Sequence, residues 1–175
     1  ELIDSSNEEW ATSAREAVVE LDKILKINYF CTDARSCQEY ADANNTDLRA
    51  NYEAGTQFEL EKNYTKAIKY FKIAANLGHG PAAHNLGYTY HEGLGDIKKD
   101  FEEAFKWYSL AIEKNITDSM VNLGYMYLYG DGVEINYEKA KEYFLNSIKE
   151  YNDHPLGYYA IGIMYEEGLG VEKNL

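Results

Sequence analysis

Histidine and cysteine are the residue types in this sequence whose side chains most readily do chemistry, and the chain has four histidines and two cysteines. The histidines carry no H-E-x-x-H or C-x-x-C pattern and no set of carboxylates that would complete a metal site. A cysteine nucleophile needs a nearby base, and the sequence indicates none. We therefore expect no metal site, no cofactor and no enzymatic activity. The histidines are His79, His84, His91 and His154.

The two cysteines, Cys31 and Cys37, lie close together in the segment N-Y-F-C-T-D-A-R-S-C. On one unbroken helix this spacing would point them to different faces, but across a turn between two helices they can meet. Thr32 and Asp33 are typical of such a turn. The spacing predicts a disulfide, the alternative being two small buried thiols. A disulfide favours a secreted, periplasmic or endoplasmic-reticulum location over the cytoplasm.

Three Gly-x-Gly segments invite comparison with phosphate-binding loops: residues 93–95, 130–132 and 168–170. A phosphate loop ends in Lys followed by Ser or Thr, and none of the three does so. Because the same pattern recurs along the chain, we interpret these segments as turns between helices.

Composition narrows the classes of partner. The 175 residues carry a formal net charge of −13, which disfavours nucleic acid and anionic lipid surfaces. Solubility alone explains such a charge, and the alternative is a basic partner.

No apolar run approaches the roughly 20 residues of a membrane helix. The start at Glu1 without methionine favours a processed chain or an excised fragment.

An internal repeat determines the predicted fold. The segments L-G-Y-T-Y-H-E-G-L-G, L-G-Y-M-Y-L-Y-G-D-G and I-G-I-M-Y-E-E-G-L-G begin at Leu86, Leu123 and Ile161. A second helical stripe of alanine, aromatic and small residues, preceded by an N-cap residue, occurs three times, from Ala67, Ala104 and Ala140. Helix pairs of this kind cannot bury their apolar faces alone, so successive pairs stack. The N-caps are Asn63, Asp100, which has Glu103 as in a capping box, and Asn136.

The repeated residues resemble the Sel-one-like repeat family, which is related to the tetratricopeptide repeats. They match L-G-x-x-Y-x-x-G-x-G at 86–95, A-x-x-W-Y-x-x-A at 104–111 and A-A-x-x-G-H at 74–79. The resemblance implies an all-α, right-handed α-α solenoid of paired antiparallel helices, and it covers roughly residues 48–175. It also implies a non-enzymatic adaptor that binds proteins.

The repeats, together with the helices predicted ahead of them, divide the chain into five parts. A long amphipathic helix from Trp10 to Asn28 and a short one from about Ala34 to Ala41 are expected to cap the solenoid. The parts are N-terminal capping helices (1–47), a tetratricopeptide-like first repeat (48–80), full repeats (81–116 and 117–154) and a truncated repeat (155–175) whose Asn174 would cap a missing helix.

Helix geometry predicts the binding surface. With Leu86, Gly87 and Tyr90 facing inward, one row of side chains on each first helix should line a concave groove. Asparagine can hold an extended peptide backbone, and tyrosine offers rigid, amphipathic contact area. The alternative is packing between repeats. The predicted residues are Asn85, Tyr88, Glu92, Asn122, Tyr125, Tyr129 and Tyr159, with Ile163 beside the last.

These inferences predict a scaffold that binds a protein or peptide partner in its concave groove, in a secretory or cell-envelope pathway. The alternative function is an immunity or inhibitor protein that neutralises a secreted toxin or enzyme by direct binding. The sequence identifies neither the partner nor the oligomeric state.

Overall fold

The computed structural model describes residue 31 and residues 33–150 and 154–172. Within these ranges the chain forms eight α-helices and no β-strand. The helix predicted from Trp10 to Asn28 and the cap predicted at Asn174 lie outside the described residues. The helices are α1 (Ala34–Ala43), α2 (Leu48–Leu60), α3 (Tyr64–Asn76), α4 (Gly80–Glu92), α5 (Phe101–Glu113), α6 (Asp118–Tyr129), α7 (Tyr137–Glu150) and α8 (Pro155–Glu167).

The helices pair in chain order, as the repeat predicts. The first members, α2, α4, α6 and α8, are called here the A helices, and α3, α5 and α7 the B helices. Each helix packs against the next one along the chain, and α6 also contacts α8. This arrangement confirms the all-α solenoid.

A glycine on each A helix permits close approach of its B helix. A Cβ atom added at Gly55, Gly87 or Gly124 would lie less than 3.0 Å from ring carbons of a B-helix aromatic residue. Those rings are fully buried, so they cannot move aside without disturbing the core. The facing aromatic residues are Phe71, Tyr108 and Phe144 respectively.

The predicted helix starts are confirmed at the B helices. The side chains of Asn63, Asp100 and Asn136 accept hydrogen bonds from the backbone N–H three residues on, at 3.3, 3.0 and 3.0 Å. Each bond satisfies a donor that has no partner within its helix. The A helices α4 and α6 end at Gly93 and Gly130, whose positive φ of 66° and 80° glycine adopts at low cost.

The capping box expected at Asp100 is wrong in its second half. The backbone N–H of Asp100 donates to the carbonyl of Tyr90 at 2.9 Å, so it needs no side-chain acceptor. The carboxylate of Glu103 accepts instead from Trp107 Nε1 at 2.8 Å and from Lys106 Nζ at 3.2 Å.

The side chains of the A helices that face the core differ in how deeply they are buried. Leu86 is fully buried, whereas Tyr90 and Tyr127 are half-buried and pack against the core clusters. Lysine ammonium groups lie near both rings: Lys72 Nζ is 5.3 Å from the Tyr90 centroid and Lys139 Nζ 5.0 Å from that of Tyr127.

The N-terminal end of the described solenoid is held by a cysteine pair. Cys31 and Cys37 are placed as a disulfide, with Cα atoms 4.7 Å apart. Asp33 begins α1 with a complete capping box to Ser36, as expected for a turn at this point. Cys37 is buried in the same core cluster as the residues of α2 and α3.

Candidate binding groove on the A helices

Five of the seven residues predicted for the groove lie around one pocket. This pocket has a volume of about 360 Å³ and opens between α4, α6 and α8. We call it the A-helix pocket. The predicted residues on α4 are four positions apart and those on α6 are three and four apart, so each set shares one face of its helix. The predicted residues that line it are Tyr88, Glu92, Asn122, Tyr125 and Tyr129, joined by Ile163.

Tyrosine rings form much of the pocket wall. The rings of Tyr125 and Tyr129 are parallel, with centroids 6.0 Å apart and an interplanar angle of 4°. Tyr125 also meets the buried Phe144 at 5.2 Å and 62°, which ties the pocket wall to the core. Tyr88 and Tyr129 remain 46% and 52% exposed. Large aromatic area at a solvent-facing pocket is typical of contact surfaces rather than of cores.

The pKa values of two phenol groups in the wall, those of Tyr125 and Tyr129, are raised. Burial is the main cause that raises the pKa of Tyr125 and Tyr129. The negative charge of Glu167 adds to this at Tyr129. Both hydroxyls therefore stay protonated at neutral pH and can donate hydrogen bonds.

One histidine joins two carboxylates at the rim. His91 Nε2 lies 3.1 Å from Asp131 Oδ2, and His91 Nδ1 lies 3.3 Å from Glu92 Oε1. The imidazole is largely buried, and its centroid lies 5.4 Å from that of Phe101. Lys99 Nζ stands 4.0 Å from the second oxygen of Glu92.

Two predicted residues lie outside this pocket. Asn85 is half-buried one turn before Tyr88, and its carbonyl accepts the Thr89 hydroxyl at 2.8 Å. Tyr159 is 65% exposed and does not line the pocket. Counted from the glycine of its repeat, Tyr159 is one residue out of register with Asn85 and Asn122. The equivalent position is occupied by Ala160, which is fully buried.

The residues predicted for the groove include neither Asp131 nor His91, although both line the A-helix pocket. The signal for Asp131 is a departure from the repeat. It occupies the middle of a Gly-x-Gly turn, where the other two turns have Leu94 and Leu169. Its contact with His91 spans 40 residues of sequence, so no local pattern reveals it.

A larger cavity lies on the other side of the helix pairs. It has a volume of about 880 Å³ and is lined by residues of α3 and α5, including Lys72, Glu103 and Trp107. Trp107 is only 5% exposed, and Glu103 is already occupied by Trp107 and Lys106. The half-buried rings of Tyr90 and Phe105 also line this cavity, and we prefer the A-helix pocket because five of the predicted groove residues lie around it.

The four histidines have structural partners. His79 caps α4 by accepting from Ala82 N at 3.2 Å, His84 pairs with Ser119 at 2.8 Å, and His154 with Asp118 at 2.9 Å. Across the described part of the chain, no three His, Cys, Asp or Glu side chains come together as a metal site. None of the described helices is both long and apolar enough to span a membrane.

Solved structures with the same architecture are known. A Sel1 repeat protein from Oxalobacter formigenes superposes with a TM-score of 0.67 at 25% identity, over 81% of this chain and 57% of that one. A protective antigen of uropathogenic Escherichia coli strains gives 0.68 at 32%, over 80% and 30%. Cysteine-rich protein B of Helicobacter pylori gives 0.53 at 25%, over 81% and 94%. This chain thus spans little more than half of the first protein and under a third of the second.

A sequence comparison identifies the repeats directly. The family model of the Sel1 repeat matches residues 50–79, 80–116, 117–150 and 155–175, which together make up most of the chain. No curated protein sequence matches at a significant level. The four consecutive matches coincide with the helix pairs and with the final helix α8. The chain therefore belongs to the Sel1 repeat family.

Proposed function

We propose that this chain is a scaffold that binds a partner protein along its A helices. Sel1 repeat proteins generally act as protein–protein interaction scaffolds and typically lack enzymatic activity. The observation that carries the proposal is the group of exposed tyrosines around the A-helix pocket. Scaffold packing accounts for Leu86 and Tyr108, which are fully buried, but it does not account for Tyr88 and Tyr129.

The physical case rests on the chemistry of the pocket wall. A tyrosine ring contributes apolar area, its hydroxyl contributes a hydrogen bond, and few rotatable bonds are ordered on binding. Asn122 adds an amide that can both donate to and accept from a peptide backbone. An extended segment of the partner, lying across α4, α6 and α8, would meet all of these groups.

The cysteine pair supports a location for this activity. A stable Cys31–Cys37 disulfide requires an oxidising compartment, so we place the scaffold in a secretory or cell-envelope pathway. Quantification of free thiols in protein purified from its source under alkylating conditions tests this. Two modified thiols per chain would contradict the placement.

Selection of binding peptides tests the groove. Random dodecapeptides displayed on phage are selected on the immobilised chain, and the affinities of the selected peptides are measured by titration calorimetry. The double variant Tyr88→Ala/Tyr125→Ala should lose about 1–3 kcal/mol of binding free energy per aromatic contact. Tyr165→Ala, which removes a tyrosine that is 39% exposed and outside the pocket, is the matched control and should bind normally.

The fold must persist for this comparison to be meaningful. Leu86 and Tyr127 remain in the double variant, so its circular dichroism should match that of the parent. If the variant is folded and binds every selected peptide with unchanged affinity, or if no peptide is selected at all, the proposed groove is wrong.

A further inference from the structure

Two positions around the A-helix pocket differ in polarity from their counterparts in the other repeats. Asp131 stands where the equivalent turns have Leu94 and Leu169. Tyr108 stands where the neighbouring B helices have Phe71 and Phe144. His91 links the two: its ring lies 3.1 Å from Asp131 and its centroid 6.2 Å from that of Tyr108. The repeat unit itself requires neither polar group.

The hydroxyl of Tyr108 has no hydrogen-bond partner among the described residues, although the residue is fully buried. Its ring passes beneath α4 at Gly87, and its hydroxyl group lies within electrostatic reach of Tyr88 and Glu92. Both of these residues line the A-helix pocket. Burial of a hydroxyl without a hydrogen-bond partner lowers the free energy of unfolding. Phenylalanine, which the other repeats have at this position, has no hydroxyl to bury.

The rim charges are unevenly paired. An imidazole carries at most one positive charge, so His91 cannot offset both of the carboxylates that flank it, those of Asp131 and Glu92. Glu167 adds a third negative charge near Tyr129, and Lys99, 4.0 Å from Glu92, is the nearby cation. The net charge of −13 for the whole chain has the same sign.

We propose that the A-helix pocket holds one cationic side chain, arginine or lysine, of an extended segment in the partner protein. The inference rests on the proposed function and specifies what the groove recognises. A cation in the pocket contacts the tyrosine rings of its wall, pairs with the carboxylates of Glu92 and Asp131, and offers N–H donors. The Tyr108 hydroxyl, which has no partner among the described residues, accepts one of them.

Short peptides of defined charge test this inference. The probes are capped pentapeptides Ac-Ala-Ala-Xaa-Ala-Ala-NH2 in which Xaa is arginine, lysine, citrulline or glutamate. Citrulline has the shape of arginine without its charge. We expect saturable shifts of the tyrosine ring resonances by NMR with the arginine and lysine peptides, and at least about tenfold weaker binding of the citrulline peptide. Equal affinities for arginine and citrulline, or no shift with any peptide, would overturn the inference.

Substitutions at the rim locate the site. The variant Glu92→Gln/Asp131→Asn should weaken binding of the arginine peptide about tenfold or more. Glu134→Gln changes the charge of an exposed residue in the same loop as Asp131, outside the pocket, and should leave affinity unchanged. Tyr108→Phe should weaken binding about threefold while it raises the thermal midpoint. Unchanged affinity in the rim variant, or in Tyr108→Phe, would count against a cation held here.

The outcomes separate this inference from the proposed function. Phage-selected peptides that require Tyr88 and Tyr125 but contain neither arginine nor lysine would overturn the cation inference and leave the groove intact. Peptides that ignore both tyrosines would overturn the groove itself. Selected peptides rich in arginine that lose affinity in Glu92→Gln/Asp131→Asn would support both.

Discussion

The interior A helices and the last A helix, α8, carry the same glycine in the same motif but place it in different surroundings. At Gly87 and Gly124 an added Cβ would collide with a buried B-helix ring. At Gly162 no described atom lies within 4 Å of the added Cβ. The side chains of α8 follow the same contrast, since Leu156, Tyr158 and Tyr159 are 52%, 52% and 65% exposed.

The contrast shows what the repeat glycine is for. A helix does not need it, because glycine in a helix interior is about 1 kcal/mol less favourable than alanine. The stacking of the B helix needs it, because only a hydrogen atom fits between the helix backbone and the aromatic ring. The motif therefore reflects packing between two helices, and its physical effect depends on whether an aromatic ring packs against the glycine.

Removal of an aromatic ring that packs between an A helix and its B helix should cause the largest loss of stability. Phe144→Ala deletes a fully buried side chain between α6 and α7 and should lower the free energy of unfolding by about 3–5 kcal/mol. The control Tyr165→Ala removes a ring that is 39% exposed on α8 and should change it by less than about 1 kcal/mol. Urea denaturation followed by circular dichroism measures both. Similar losses would show that the interior and α8 are packed alike.

The N-terminal end should respond to loss of its covalent link. Closure of the short loop between Cys31 and Cys37 restricts the unfolded chain, and its removal in Cys31→Ser/Cys37→Ser should cost about 2 kcal/mol. Because contacts in a solenoid are between neighbours, the loss should concentrate in α1 and α2. Hydrogen exchange read by mass spectrometry resolves this. Equal deprotection of α7 would contradict the local character of the link.

Methyl groups added at the glycines test the comparison directly. Gly124→Ala should destabilise the chain by about 1–2 kcal/mol, because overpacking against Phe144 exceeds the gain in helix propensity. Gly162→Ala should instead stabilise it by up to about 1 kcal/mol, because propensity acts alone there. Thermal unfolding distinguishes opposite signs even if the magnitudes are small. Equal destabilisation would mean that Gly162 is as tightly packed as Gly124.

The smallest expected change in stability comes from removal of the Tyr108 hydroxyl oxygen. Tyr108→Phe removes a buried hydroxyl without a partner and restores the residue found in the adjacent repeats, so it should stabilise the fold by about 1 kcal/mol. The matched change Tyr70→Phe removes a hydroxyl that donates to Asp42 at 2.8 Å and should be destabilising. Chemical denaturation of both variants gives the two signs. A loss of stability in Tyr108→Phe would mean that its hydroxyl has a partner in the folded protein.

The sequence predicted the helices because the residues that begin and end each helix lie within a few positions of it. Asn63, Asp100 and Asn136 cap their own helices three residues on, and Gly93 and Gly130 end theirs through backbone conformation. The prediction failed at Glu103 because other groups competed for the two halves of the capping box. The capping bond was replaced by contacts with Trp107 and by the Tyr90 carbonyl, which the local pattern does not contain.

The candidate site was predicted in part for the same reason. Helix periodicity alone placed Tyr88, Glu92, Tyr125 and Tyr129 on one face, and that face lines the pocket. Periodicity also led to Tyr159, one residue out of register with the asparagines of the other repeats. Which of these side chains share a pocket depends on the angle and offset at which successive helix pairs stack.

By itself, the sequence determined that this protein is a solenoid of helix pairs with tyrosines along its A helices, because caps, turns and periodicity act over a few residues. Only the tertiary structure brought Asp131 to His91 across 40 residues and left the Tyr108 hydroxyl buried without a partner among the described residues. Those contacts arise where separate repeats meet. Their geometry is set by the packing of buried rings such as Phe144 and Tyr108 against glycine, which fixes how closely the helices approach.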